Sequence, residues 1–184
     1  MLKKIIWQPN KVLSLKLRDN LYTLVQMREG YCLQSFDIRS EYGEWSGIDL
    51  TKTDSLFTII ACEKALKTLA VAELSASQAT PDKRPTGKIM LDAVLGNNGD
   101  HGANLIELTD QFESYEGTII KQNLSVDEDL EAIYKYEITG MVGSPEKIRN
   151  RLIRYFDTGV NWDESKAFLF KGIQPPPAKT SRKH

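Results

Sequence analysis

A chain of 184 residues with 41% hydrophobic and 27% charged residues has ordinary globular composition, so wholesale disorder is excluded. A domain of this length buries about 70% of the surface its unfolded chain exposes, and needs neither disulfide nor metal to stay folded. The net charge of −1 supplies no global field for nucleic acid, and no run approaches the roughly 18 apolar residues of a membrane helix.

Residues 1–9 read Met-Leu-Lys-Lys-Ile-Ile-Trp-Gln-Pro, and the apolar run after the lysines is too short for the core of a signal peptide. Cys32 and Cys62 form no disulfide framework. Their apolar neighbours suggest two buried free thiols. The expectation is a cytoplasmic protein with one α+β domain over residues 1–172 and a Pro-rich basic tail over 173–184.

Residues 11–17 alternate, with Leu13, Leu15 and Leu17 on one face and Ser14 and Lys16 on the other. Asp19-Asn20 turns the chain, residues 21–28 are β-prone, and Glu29-Gly30 turns it again before a third run over 31–38. Short runs joined by two-residue turns predict a β-meander. Residues 39–54 form a connection around a partly buried Trp45. Residues 56–62 are rich in β-branched side chains and predict a buried strand. Ala65, Leu66, Leu69 and Ala70 suggest a short helix over 63–73, and 75–85 is a Ser/Thr/Pro-containing loop.

Residues 88–95 predict a further strand, 96–102 a turn rich in Gly and Asn, and 104–108 and 117–122 two short strands. Ser125 and Glu128 match a capping box. Both periods then compete over 126–139. Val126, Leu130, Ile133 and Tyr134 fit a helix, whereas Tyr134, Tyr136 and Ile138 fit a strand. The reading is one helical turn, then a strand through Thr139. Ser144-Pro145-Glu146 opens a helix whose core stripe is Ile148, Leu152, Tyr155 and Phe156. Lys147, Arg149, Arg151 and Arg154 lie off that stripe, and Gly159 is its cap. Residues 167–170 predict a last strand. The sum is a mostly antiparallel fold, a partly open SH3-like barrel or curled sheet with one or two helices.

Charge is segregated along the chain. Residues 104–143 hold nine acids against Lys121 and Lys135, whereas Lys3, Lys4, Lys11, Lys16 and Arg18 at one end, and Lys166, Lys171, Lys179, Arg182 and Lys183 at the other, are basic. Such segregation either leaves solvated faces that neutralise each other in the fold or steers a partner of opposite sign to the acidic middle. The candidate partner-binding residues are therefore Glu113, Glu116, Asp127, Glu128, Asp129 and Glu131.

Motifs for chemistry are sparse. There is no CxxC and no HExxH, and His101 and His184 are the two histidines, so neither a metal nor another cofactor is expected. The glycines at 96, 99 and 102 have neither Rossmann nor P-loop spacing. Asp100-His101 are adjacent in sequence and do not normally point at each other. Carboxylate pairs such as Glu113 with Glu116 would need burial to act as acid and base. The expectation is a binder and not an enzyme.

Three stretches carry a family resemblance. They are the meander from Lys11-Val12-Leu13-Ser14-Leu15-Lys16-Leu17 to Phe36-Asp37, the strand Leu56-Phe57-Thr58-Ile59-Ile60-Ala61, and the helix Ser144-Pro145-Glu146-Lys147-Ile148 ending in Tyr155-Phe156. Together they resemble the immunity protein 26 family of bacterial polymorphic-toxin systems, which includes contact-dependent inhibition. The tryptophan of that family's pattern ahead of the helix is replaced here by Met141-Val142. The resemblance implies a cytoplasmic immunity protein that binds and neutralises a cognate toxin domain, such as a nuclease, by occluding its active site. The alternative is a nucleic-acid-binding module using the basic ends and the Arg149, Arg151 and Arg154 face.

Overall fold

A computed structural model describes Leu2 and residues 4–97 and 99–179. The fold divides into two compact units: Met1–Thr86 with Met141–Ile153, and Gly87–Gly140 with Arg154–His184. The basic residues Lys3, Arg182, Lys183 and His184 lie outside the described residues.

In the first unit, β1 (Val12–Arg18), β2 (Leu21–Met27) and β3 (Cys32–Ser40) form the expected antiparallel meander. Leu13 faces Val25 and Gln26 faces Gln34 across its ladders. Asn20 (φ 59°) and Gly30 (φ 61°) supply the left-handed backbone that the two turns need. Next come β4 (Ile48–Asp49), β5 (Ser55–Ile60), α1 (Glu63–Leu66), β6 (Ala70–Glu73) and β7 (Ala79–Thr80). The main sheet has the order β5-β3-β2-β1-β6, and β4 pairs with β7 in parallel. It remains an open sheet, and no barrel closes among the described residues.

Both faces of the meander are covered. Leu13, Leu15 and Leu17 are buried as expected, but so are Val12 and Ser14 on the opposite face. There Val12, Leu24 and Phe36 pack with Trp45, Leu50 and Ala79 from the connections. Trp45 Nε1 donates to Ser14 Oγ at 2.9 Å, which satisfies two buried polar groups at once.

The loop before residue 86 is pinned by polar groups. Gln26 Oε1 accepts from the Asp82 N–H at 2.7 Å, Gln34 Nε2 donates to Asp82 Oδ2 at 2.8 Å, and Arg84 Nε donates to Asp82 Oδ1 at 2.9 Å. Burial works to raise the Asp82 pKa, but the hydrogen bonds from Arg84 and Gln34 and the Arg84 charge outweigh it and hold the carboxyl below the usual value.

The helix expected over 63–73 lasts one turn. The chain then extends as β6 because the edge of β1 offers backbone partners: Leu13 faces Glu73, and the Lys16 N–H donates to Leu69 O at 2.9 Å. Ala65, Leu66, Leu69 and Ala70 are all buried, so the apolar stripe holds while the helix does not.

The second unit contains β8 (Ile89–Val94), β9 (Gly102–Glu107) and β10 (Thr118–Lys121), an antiparallel meander at the expected positions. It is followed by α2 (Val126–Lys135). The helical period prevails through residue 135, where one turn and a strand were expected. Val126, Leu130 and Tyr134 pack against a core containing Leu91, Ala103, Leu124 and Ile133. The strand reading survives in a single parallel bridge, Leu91 with Ile138.

Helix α3 (Pro145–Thr158) spans the predicted residues, and the division between the units falls within it. Ser144 Oγ accepts from the Lys147 N–H at 3.4 Å, and Gly159 (φ 76°) closes the helix by donating its N–H to Tyr155 O at 2.7 Å. Residues 167–170, expected as a strand, lie within and just after α4 (Ser165–Leu169). Leu169, Phe170 and Ile173 join the core of the second unit, and Lys166 is buried with its ammonium donating to Tyr134 O at 3.3 Å. The described part of the segment expected as a tail, residues 173–179, is fastened to this unit. Tyr134 Oη donates to Gln174 O at 2.9 Å, and the Lys179 N–H donates to Gly159 O at 3.0 Å. Among the described residues no helix is long and apolar enough to cross a membrane.

Candidate functional site

The six acids singled out in the sequence all fall in the second unit, on either side of β10. Ahead of the strand, the β9–β10 connection is fixed by its own hydrogen bonds. The Thr109 N–H donates to Glu113 O at 3.1 Å, Thr109 Oγ1 accepts from the Glu113 N–H at 3.1 Å, and the Gly117 N–H donates to Ser114 O at 3.0 Å. Phe112 sits at φ 63°, a conformation rare for an aromatic residue. A Cβ on Gly117 would stand 2.8 Å from Glu107 O, so glycine alone fits this close approach. Lys88 pairs with Asp110 and lies 5.8 Å from the Phe112 ring.

That rigid tip exposes Glu113, Glu116 and Tyr115, the last at 78%. The Glu113 charge and its hydrogen bond push the Tyr115 phenol up from its usual pKa. Strand β10 itself is exposed along its whole length, with Ile119 and Ile120 each 49% exposed. Its register shifts between Ile119 and Lys121, a bulge against β9.

Beyond the strand, Asp127, Glu128 and Asp129 form the first turn of α2, where carboxylates favour the helix dipole. Ser125 caps the helix by accepting from the Glu128 N–H at 3.3 Å. The return bond is not from Glu128, as a capping box predicts. Asp129 Oδ2 accepts from the Ser125 N–H at 3.1 Å instead. Asp129 also holds Lys121 Nζ at 2.7 Å, with Glu128 at 3.6 Å from the same ammonium. The Lys121 and Ser125 hydrogen bonds hold the Asp129 carboxyl below the usual range. Asp129 is thus committed internally, while Glu113, Glu116, Asp127, Glu128 and Glu131 are exposed. Lys135 lies 5.0 Å from the Tyr136 ring. Solvated carboxylates so arranged act as fixed negative charge, suited to attracting and orienting a cationic surface.

Sequence reasoning did not single out Tyr115, Ile119 or Ile120. Two adjacent isoleucines in a strand candidate suggest burial, and the edge position that exposes them is set by the sheet order.

The other candidates lie elsewhere. Arg151, expected off the core stripe, is buried with its guanidinium 3.9 Å from the Phe57 ring centroid. Arg154 is held by Glu164 Oε1 at 2.6 Å and by Trp162 O. His101 stacks on Phe168 at 4.5 Å, and its buried Nδ1 has no hydrogen-bond partner, so Asp100 does not orient it through that atom. Cys32 is buried and its thiol is pushed up to about 12, chiefly by burial, whereas Cys62 is half-buried. A cleft of about 290 Å³ in the first unit is bordered by Lys11 and Glu73, which pair with each other at 3.0 Å.

No curated protein and no solved structure matches this chain. Residues 2–175 match a family described as a domain of unknown function, DUF8309, and the chain belongs to that family.

Proposed function

We propose that this protein is a cytoplasmic immunity protein, which binds a cognate toxin domain through the acidic surface around β10 and blocks that domain's active site. The observation that carries the reading is the bracketing of one exposed strand by acids. Glu113 and Glu116 precede it, Asp127, Glu128 and Glu131 follow it, and the lysine at its end is already held by Asp129. A nuclease toxin needs a cationic cleft for its substrate, and a rigid acidic surface associates with such a cleft quickly and excludes phosphate from it. The sequence resemblance to the immunity protein 26 family supports the same reading.

The alternative, a nucleic-acid-binding module on the Arg149, Arg151 and Arg154 face, has less support. Arg151 is buried on Phe57 and Arg154 is engaged by Glu164, which leaves little of that face to meet phosphates.

The test is co-expression with the C-terminal domain of the protein encoded immediately upstream. Growth rescue and a 1:1 complex on size exclusion are expected. Charge reversal at Glu113, Glu116, Asp127, Glu128 and Glu131 together should slow association at least tenfold and flatten its salt dependence. Unchanged rates would remove the acidic surface as the contact, and toxicity without rescue would sink the immunity reading.

A further inference from the structure

The sheet of the second unit has two edges, and they are treated differently. The β8 edge is covered by the chain itself: the Leu91 N–H donates to Glu137 O and the Thr139 N–H donates to Leu91 O, each at 2.8 Å. The β10 edge has no pairing strand among the described residues. An uncovered edge carries a row of backbone donors and acceptors that another strand can use, and proteins usually blunt it with charge or cover it. Here the bulge at Ile120 leaves two consecutive isoleucines half exposed, and Tyr115 stands at 78% exposure on the rigid tip that leads into the strand. Edge, apolar side chains and a rigid aromatic anchor together are the features that strand addition uses.

We propose that the outer edge of β10 takes up an extended basic segment of a partner protein as a further strand, with Tyr115 as its aromatic anchor. Charge decides the occupant. A second copy of this chain pairing at the same edge would bring Glu113 and Glu116 of one protomer against the acids of the other, which is destabilising. Nucleic acid would meet the same negative field. A strand bearing lysine or arginine at alternate positions is matched at both ends, by Glu113 and Glu116 on one side and Asp127 and Glu128 on the other. At roughly 3.3 Å per residue, four to six partner residues would fill the edge. The inference rests on the reading of this protein as a binder of a cationic partner, and it adds the mode of contact.

The full chain is mixed with two soluble peptides of the same alternating apolar pattern, one with lysine at the polar positions and one with glutamate. Amide hydrogen exchange is followed at residues 118–121. The lysine peptide should slow exchange there at least tenfold, and the glutamate peptide should not. Ile119→Lys with Ile120→Lys, and separately Tyr115→Ala, should each weaken the lysine peptide at least tenfold; all three positions are exposed, and circular dichroism checks that the variants fold. Protection by both peptides or by neither overturns the proposal, as does protection that rises with protein concentration without peptide, the mark of a second copy. The upstream domain separates the two readings. A complex that leaves 118–121 unprotected overturns strand addition and keeps the immunity reading, whereas lysine-peptide protection without any such complex does the reverse.

Discussion

Asp129 joins two elements with one carboxylate: Oδ1 holds Lys121 Nζ of β10 at 2.7 Å, and Oδ2 accepts from the Ser125 N–H ahead of α2 at 3.1 Å. Because those bonds lower its pKa in the folded protein, its contribution is fully present above the ordinary aspartate value of 3.8 and is lost as pH falls through the lowered one. Asp129→Asn should therefore reduce stability at neutral pH and flatten part of the acid limb. Urea melts between pH 6 and pH 2.5 measure both; parallel curves for the two proteins would show that the ion pair is inert.

Trp45 and Ser14 offer a cleaner energetic test, since both are buried and neither titrates. Trp45→Phe removes the indole donor and leaves Ser14 Oγ without it, at a cost of about 1–3 kcal/mol plus lost packing. In a double-mutant cycle with Ser14→Ala, a coupling of about 1 kcal/mol is expected. A coupling near zero would mean that the hydroxyl finds another partner.

Gly159 is constrained twice, by φ 76° and by Lys179 O, which would stand 2.8 Å from an added Cβ. Gly159→Ala should cost about 1–2 kcal/mol from backbone conformation alone. Removing residues 179–184 from the same variant should return any further loss due to the clash, a comparison readable in thermal melts.

The two thiols should differ sharply. Cys32, with its pKa near 12, should resist an aromatic disulfide reagent at pH 8 until the protein unfolds, while half-buried Cys62 reacts in the native state. Mass spectrometry of labelled peptides gives the order directly, and early modification of Cys32 would mean that β3 opens locally.

The sequence was most informative where local chemistry and global packing agree. Asn20 and Gly30 mark the turns of the first meander, and Ser144, Pro145 and Gly159 delimit α3 within a residue. It misled where a long-range partner decides. Val71 and Ala72 join a strand because β1 has a free edge, a fact absent from their own neighbourhood. Tyr134 suits either period, and the apolar face offered by Leu91 and Ala103 selects helix there, whereas Tyr136 follows the helix in extended backbone. Arg151 and Lys166 look like solvated charges, yet aromatic rings and a backbone carbonyl draw both inside. At the candidate site the acids were visible from their clustering along the chain. The exposed Ile119 and Ile120 were not, because exposure there follows from which strand ends the sheet.

The way the chain is shared between its units has a practical consequence. Each unit is assembled from two separate stretches, with crossings near residues 86, 140 and 153. No single cut releases either unit whole, so a fragment ending near residue 86 or beginning near 154 would lack strands or a helix turn that its own fold requires. Binding and structural work should therefore keep both units intact, and interface mapping should proceed by point substitution instead of deletion.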